Sequence, residues 1–175
     1  MKPKLYVLIG APGSGKSTFA KEYLKDAVYV SRDIIRFAIL RDGEDYFSKE
    51  DQVYREYIWK IYNTLQNEKK DVIADATHLN HYSRAKLFDA LPLDLSTIDI
   101  IGLFFRTSLP TCLARNETRK GNKTYVPENQ LRRMFFKIEH PTFNEYNGIF
   151  TELWGINTEK DNYEIKKYNR EGEIT

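Results

Sequence analysis

A glycine-rich stretch near the start of the sequence has the residue types and spacing that bind phosphate groups. It consists of Gly10, Ala11, Pro12, Gly13, Ser14, Gly15, Lys16, Ser17 and Thr18. Glycines allow successive backbone N–H groups to approach phosphate oxygens, and the start of a following helix favours negative charge. In this G-x-x-x-x-G-K-S pattern, the Lys16 ammonium reaches the β- and γ-phosphates of a nucleotide and the Ser17 hydroxyl binds Mg²⁺. The stretch therefore predicts a site for a nucleoside triphosphate and Mg²⁺.

Two carboxylates follow short apolar runs that are typical of buried strands. Asp33 comes shortly after Ala27–Val30, and Asp75 closes the run that starts at Val72. Because ligands of open parallel sheets bind outside the carboxyl ends of the strands, both side chains are candidates for the site. Asp33 can take a proton from an attacking hydroxyl group, although it can also cap the helix predicted at Ile34–Arg41. Asp75 fits a Walker-B-like position, where it would bind metal.

A polar, glycine-containing segment, Arg115–Lys123, carries four cations. They are Arg115, Arg119, Lys120 and Lys123. We name this segment the lid, because a mobile loop with these charges can close over phosphoryl oxygens and stabilise the charge of phosphoryl transfer. Arg115 and Arg119 are four residues apart, so a helix would project both side chains the same way. The alternative is that the two arginines form only a solvated surface.

Apolar runs alternate with helix-like segments along the chain. Strands are predicted at Leu5–Ile9, Ala27–Val30, Val72–Asp75, Ile98–Phe105 and Gly148–Trp154, and helices include Ile34–Arg41, a long one capped at Ser48, His81–Leu91 and Gln130–Glu139. Such alternation implies parallel pairing with right-handed crossovers. We expect an α/β fold, a three-layer P-loop NTPase sandwich with a five-stranded, mainly parallel sheet and the arginine-rich lid. Residues 1–156 would form this domain, and the polar extension 157–175 can add an edge strand.

Composition restricts the class of protein without naming a reaction. The 175 residues fit one domain, and 41% hydrophobic with 30% charged residues is an ordinary globular balance. A net charge of +2 does not decide for or against a nucleic-acid partner. The single Cys112, in a helix-like segment, is expected in the core and fits a reducing compartment. With only a five-residue apolar run before the glycine-rich loop, we expect a cytoplasmic protein without a membrane span.

Some nucleotide-dependent functions are disfavoured by the residues themselves. A GTPase would carry an Asn-Lys-x-Asp guanine motif, but Asn122-Lys123 is followed by Thr124 and Tyr125. An oligomeric mechanical ATPase usually needs a longer chain. His78 and His81 have no third ligand pattern beside them and are not expected to bind metal. A kinase and an ATP-switched binding module, in which nucleotide orders the lid for a partner, both remain open.

Five segments together resemble the kinase domain of bacteriophage and bacterial polynucleotide 5′-kinases, over roughly residues 4 to 156. They are Gly10–Thr18, Ser31–Arg36, Ile73–Asn80, Arg115–Gly121, and Val126-Pro127 with Leu131–Met134. The segment Pro141–Gly148 is similar to one in the wider zeta-toxin-like and AAA-33-type group of P-loop kinases. The resemblance implies transfer of the γ-phosphoryl group of ATP, with Mg²⁺, to the 5′-hydroxyl of RNA or DNA, as in nucleic-acid repair.

The resemblance also implies a role for each matching residue. Asp33 would be the general base on the acceptor hydroxyl, and Arg36 would hold the acceptor's neighbouring phosphate. Arg115 and Arg119 would contact the donor phosphates, while Lys16 and Ser17 keep the roles given above. Asp75 matches a family aspartate that serves either the metal or the acceptor.

The sequence also departs from that family. Lys120 separates Arg119 from Gly121, where the family pattern has glycine directly after the arginine, and no Asp-x-Asp-x-Thr phosphatase signature is present. Removal of a 3′-phosphate is therefore not predicted. Because relatives with the same loop, aspartate and arginine lid phosphorylate sugars, nucleosides or aminoacyl-tRNA, a small-molecule or aminoacyl-tRNA acceptor remains an alternative.

Overall fold

The computed structural model describes all residues, Met1–Thr175, and its centre is one seven-stranded sheet. The strands are β1 (Lys4–Ile9), β2 (Val28–Ser31), β3 (Val72–Asp75), β4 (Asp99–Phe105), β5 (Glu152–Asn157), β6 (Glu164–Asn169) and β7 (Gly172–Ile174). Their order is β2-β3-β1-β4-β5-β6-β7. Neighbours from β2 to β5 pair in parallel, whereas β6 and β7 are antiparallel. The predicted α/β class is confirmed, but the sheet has seven strands rather than five.

Six helices connect these strands and cover the sheet. They are α1 (Lys16–Tyr23), α2 (Arg32–Ile39), α3 (Glu50–Gln66), α4 (His81–Ala90), α5 (Leu109–Glu117) and α6 (Glu128–Phe136). None of them combines the length and the apolar character that crossing a membrane would require.

The central strand β1 separates two hydrophobic layers. Its residues Leu5, Val7 and Ile9 belong to a core of 19 buried residues, which the α3 side chains help to fill. Tyr6 and Leu8 point into a second core of 10 buried residues on the other face. Successive strand residues face opposite sides of a sheet, so a continuous apolar run is what a strand covered on both faces requires. The predicted three-layer arrangement follows from this burial.

Several predicted element boundaries were wrong for local reasons. The fifth strand begins at Glu152 rather than Gly148, because a 3₁₀ turn over Glu145–Asn147 and a left-handed Gly148 (φ 78°) occupy the preceding chain. Helix α6 starts at Glu128 and ends at Phe136, not Gln130 and Glu139. The capping box expected at Ser48 does not form, since its hydroxyl donates instead to the Asp45 carbonyl at 2.7 Å.

Polar residues hold the turn before β5 in place. Arg84 of α4 has a completely buried side chain whose Nε donates to Glu145 Oε1 at 2.5 Å. The Arg84 guanidinium also donates to the His78 carbonyl at 2.7 Å and the Glu139 carbonyl at 3.1 Å. Buried charges need partners of this kind. The pair therefore explains why residues between α6 and β5 keep an irregular path instead of extending the strand.

Candidate active site

The glycine-rich loop lies between β1 and α1, where its shape depends on two left-handed glycines. Gly13 has φ 81° and Gly15 has φ 89°, a region that is strained for other residues. A Cβ atom on Gly13 would lie 2.7 Å from the Cys112 carbonyl oxygen of α5, and one on Gly15 would lie 2.8 Å from Thr158 Oγ1. The loop can therefore keep this packing only with glycine at both positions.

Two threonine hydroxyls fix the loop from beneath. Thr107 Oγ1, just after β4, and Thr158 Oγ1, just after β5, each donate to the Ser14 carbonyl at 2.7 Å. The Ser14 Oγ is buried and has no partner within the protein. These contacts attach the loop to the carboxyl ends of β4 and β5. Sequence analysis did not identify either threonine as part of the site.

Lys16 and Ser17 begin α1 and direct their side chains toward the loop and the strand ends. The Lys16 ammonium donates to the Ala11 carbonyl at 3.5 Å and has no acidic partner, so its charge is available to phosphate oxygens. Ser17 Oγ donates to Asp75 Oδ2 at 2.6 Å. Asp75 is buried, and this hydrogen bond joins the end of β3 to the first turn of α1.

The Ser17–Asp75 pair has the chemistry that Mg²⁺ prefers. Mg²⁺ takes hard oxygen ligands and is usually held by one or two protein oxygens together with water and substrate phosphates. Tyr29 OH also donates a hydrogen bond to Asp75 Oδ2. Burial, and next the Asp75 charge, raise the pKa of Tyr29, so the phenol keeps its proton and donates it in this hydrogen bond. No cluster of three acidic, histidine or cysteine side chains offers a metal site elsewhere.

Asp33 lies at the start of α2, next to the end of β2, and is about half exposed. It does not cap the helix, because Ser31 does so by accepting a hydrogen bond from the Ile34 amide at 3.2 Å. Its Oδ1 accepts from Arg36 Nη1 at 2.5 Å and from Tyr46 OH at 2.6 Å. Oδ2 makes no contact with the protein, so one oxygen of this carboxylate is free to accept a proton.

Arg36 lies beside Asp33, as predicted, but its side chain is only 4% exposed. Its Nη2 donates to Glu50 Oε2 at 2.6 Å, its Nη1 donates to Tyr46 OH at 2.7 Å, and its guanidinium lies 4.1 Å from the Tyr46 ring centre. Burial raises the pKa of Glu50, but hydrogen bonds and charge from Arg36 and Arg32 outweigh it, and the net pKa is lowered. Arg36 is thus held in place by groups that the sequence analysis did not single out.

The lid is part helix and part loop. Helix α5 continues through Glu117, so Arg115 lies on it, and the buried Asn116 holds the loop closed at its base. Asn116 Nδ2 donates to the Val126 carbonyl at 2.6 Å, and Val126 N–H donates to Asn116 Oδ1 at 3.0 Å. Arg115 donates to Gly13 O at 3.3 Å and to Thr158 O at 2.8 Å. Arg119, partly exposed, makes no side-chain hydrogen bond.

His78, by contrast, has a structural role. It is buried, with Nδ1 2.7 Å from the Leu8 carbonyl and Nε2 3.2 Å from Tyr57 OH. Since a carbonyl can only accept, Nδ1 carries the proton and Nε2 accepts from the phenol. Burial lowers the pKa of His78 to about 4, even though the Leu8 contact and Asp75 act to raise it. The imidazole is therefore neutral at pH 7.

Comparison with known proteins agrees with this geometry. The sequence matches the AAA_33 family, described as an AAA domain, over residues 5–141. One curated relative is the L-seryl-tRNA(Sec) kinase of Methanococcus maripaludis, which is 25% identical over 182 residues, covering 90% of this chain and 67% of the relative.

Solved structures share the architecture. A chain in the structure of the Pnkp1/Rnl/Hen1 RNA repair complex superposes with a TM-score of 0.67 and 26% identity, over 78% of this chain but only 44% of that one. A gluconokinase from Sinorhizobium meliloti 1021 has the same fold, with a TM-score of 0.56 and 18% identity over 90% of this chain and 84% of that one. With its complete phosphate-binding loop and a family match over most of its length, the chain belongs to the AAA_33 family of P-loop kinase domains.

Proposed function

We propose that this P-loop kinase is a polynucleotide 5′-hydroxyl kinase, which transfers the γ-phosphoryl group of ATP to the 5′-hydroxyl of RNA or DNA. The observation that carries the proposal is the Asp33 carboxylate, fixed through Oδ1 and free at Oδ2 at the end of β2. Strands β2 and β1 flank β3, so Asp33, Asp75 and the phosphate-binding loop follow three neighbouring strands. The groups that we propose as base, metal ligand and donor site thus lie at the carboxyl ends of neighbouring strands.

The donor half of the reaction uses the loop and the lid. Backbone N–H groups of Gly13 to Ser17 and the Lys16 ammonium would bind the β- and γ-phosphates, and Arg115 and Arg119 would approach from the lid. Arg115 already contacts the loop carbonyl of Gly13. Ser17 and Asp75 would hold Mg²⁺, which when bound neutralises developing charge on the phosphates.

The acceptor half of the reaction depends on Asp33. Its free Oδ2 takes the proton of the 5′-hydroxyl group while the hydroxyl oxygen forms a bond to the γ-phosphorus. The bond between the γ-phosphorus and the bridging oxygen breaks in line with the attack, and ADP leaves with the electron pair. Arg36 fixes Asp33. To contact the acceptor's adjacent phosphate as well, its nearly buried guanidinium would have to exchange a bond to Glu50 or Tyr46 for one to the phosphate.

Two of the similar proteins have names that refer to RNA, which supports an RNA acceptor for this chain. The structural neighbour at 26% identity belongs to an RNA repair complex, and the relative at 25% identity is an L-seryl-tRNA(Sec) kinase. The second of these favours one alternative, phosphorylation of the seryl hydroxyl of an aminoacyl-tRNA. Both acceptors present a hydroxyl group near an RNA phosphate, so the same carboxylate serves either reaction.

Transfer of labelled γ-phosphate from ATP tests the proposal directly. Wild-type protein is incubated with Mg²⁺ and, separately, 5′-hydroxyl RNA, 5′-hydroxyl DNA and seryl-tRNA. We expect labelled oligonucleotide from the wild type and none from Lys16→Ala or Asp33→Ala. Lys25→Ala and Asp26→Ala, which change exposed residues of the same types outside the site, should retain activity. Label on seryl-tRNA alone would establish the alternative, and ATP binding without label on any acceptor would favour a nucleotide-switched binding module.

A further inference from the structure

A cavity of about 190 Å³ lies between the α2–α3 connection and the end of the lid. Its lining includes Phe37 and Leu40 from α2 and its end, Arg41 and Tyr46 from the connection, and Lys123 from the lid. Neither the phosphate-binding loop nor Asp33 contributes to it. We call it the connection cavity, and we propose that it binds the nucleobase and the 3′-phosphate of the second nucleotide of the polynucleotide acceptor; this inference rests on the proposed function.

The position of the cavity relative to Asp33 indicates the second nucleotide rather than the first. Tyr46 lines the cavity and also donates to Asp33 Oδ1 at 2.6 Å. The reacting nucleotide must place its hydroxyl at the other oxygen of Asp33, outside the cavity. Only the Tyr46 side chain therefore separates a ligand inside the connection cavity from the reacting hydroxyl group. This separation fits the nucleotide that adjoins the reacting one.

The size and the walls of the cavity suit a single base. About 190 Å³ is well below the roughly 300–1,000 Å³ of pockets that enclose a whole small molecule. Phe37 and Tyr46 meet edge to face, with ring centres 6.1 Å apart, and Leu40 adds an aliphatic wall. One face of the Tyr46 ring is covered by Arg36, yet the residue remains 38% exposed. Aromatic walls of this kind bind bases without regard to sequence.

The charges around the cavity favour a phosphate at its rim. Glu44 is neutralised by Lys49, with the two side chains 3.2 Å apart. Arg41, Asp42 and Lys123 take part in no ion pair, so the Arg41 and Lys123 cations are available to a phosphate. Lys123 lines the cavity from the lid, whereas Tyr46 lines it from the α2–α3 connection. A strand that enters the cavity thus passes between the lid and the connection.

The test compares acceptors of one and two nucleotides that have the same 5′ base. Base stacking and one further phosphate contact both strengthen binding, so wild-type kcat/KM should be at least about tenfold higher for a dinucleotide 3′-phosphate than for a nucleoside 3′-phosphate. Phe37→Leu and Lys123→Ala should reduce this advantage to about twofold. A dinucleotide with an abasic second position should lose the part of the kcat/KM advantage that the Phe37 side chain provides. Lys25→Ala, at an exposed lysine outside both the lid and the cavity, is the control that keeps the full advantage.

Two results would overturn the inference while leaving the kinase proposal intact. One is equal kcat/KM of the wild type for the two acceptors. The other is an equal loss for both acceptors in Lys123→Ala, which would mean that its charge acts on the donor or on the strand in general. If neither acceptor is phosphorylated, the proposed function fails together with the inference.

Discussion

The phenol of Tyr46 lies 2.6 Å from Oδ1 of Asp33 and donates a hydrogen bond to it. Arg36 contacts the same oxygen, at 2.5 Å. Burial, and next the charge of Asp33, raise the pKa of Tyr46, so the phenol stays protonated across the physiological range. The two donors leave the second oxygen of the carboxylate to the acceptor and set the direction in which it points.

Tyr46→Phe tests this positioning. The variant keeps the ring that Arg36 stacks on but loses the hydroxyl, which donates to the charged Asp33 and accepts from Arg36 Nη1. A hydrogen bond to a charged group contributes about 1.5–3 kcal/mol. We expect kcat for 5′-hydroxyl oligonucleotides to fall by about tenfold or more, with KM for ATP unchanged, in steady-state kinetics. Tyr82→Phe, at a residue 79% exposed, is the matched control. Wild-type kcat in Tyr46→Phe would show that Arg36 alone suffices.

Asp75→Asn tests the metal side of the site. The amide keeps the size of the side chain but removes the negative charge beside Ser17, and Mg²⁺ depends on charged oxygen ligands. We expect the Mg²⁺ concentration for half-maximal activity to rise by about tenfold, while binding of ATP without Mg²⁺ changes little. Asp26→Asn should match the wild type in both titrations. An unchanged Mg²⁺ requirement would assign Asp75 to the acceptor instead.

Gly13→Ala tests the packing of the phosphate-binding loop against α5. The new Cβ atom would lie 2.7 Å from the Cys112 carbonyl, in addition to the strain of φ 81°. Strain of this kind costs on the order of 1–3 kcal/mol, so ATP affinity measured by calorimetry should fall by about tenfold or more. Gly43→Ala separates the two causes, since φ is 82° there and no atom lies within 4 Å. That variant should lose some stability and bind ATP normally.

His78 predicts a pH dependence of folding. Its pKa is about 4 in the folded protein, against an ordinary 6.5, so the unfolded state binds the proton more readily between these values. Stability is therefore complete above pH 6.5 and is lost as pH falls toward 4. At pH 5 the loss is about 2 kcal/mol.

Urea unfolding at pH 7 and pH 5 measures this loss. His78→Gln should reduce the difference between the two pH values by about 2 kcal/mol, because glutamine does not titrate. His140→Gln, at an exposed position, should leave the difference as in the wild type. The charged groups that act on His78, namely Asp75, Arg32 and Arg84, remain in both variants. An unchanged difference in His78→Gln would mean that another group accounts for the pH dependence.

The sequence predicted those parts of the site that depend on local patterns. The loop from Gly10 to Thr18 and the carboxylate at Asp75 follow from a contiguous motif and from the end of an apolar run. Thr158 and Tyr46 were missed because a lone threonine after a strand and a tyrosine in a polar connection carry no local signal. Their roles arise only when β5 and the α2–α3 connection are brought to the strand ends.

The same distinction explains the errors in the fold. The five parallel strands are recognisable as apolar runs, because both of their faces are covered. The strands β6 and β7 are polar and only partly buried, and they pair antiparallel at the edge. Polar edge strands have no such pattern. The late start of β5 depends on a buried pair between Arg84 and Glu145, 61 residues apart, which no local pattern shows.

The contact between Thr158 and Ser14 spans 144 residues of the chain. During synthesis, the phosphate-binding loop is made early, but the strand that fixes its carbonyl is made near the end. Contacts of such long range form late and slowly in folding. The loop would then bind nucleotide only after β5 has joined the sheet. Because ATP would bind only this folded state, it would stabilise the whole domain rather than the part that precedes β5.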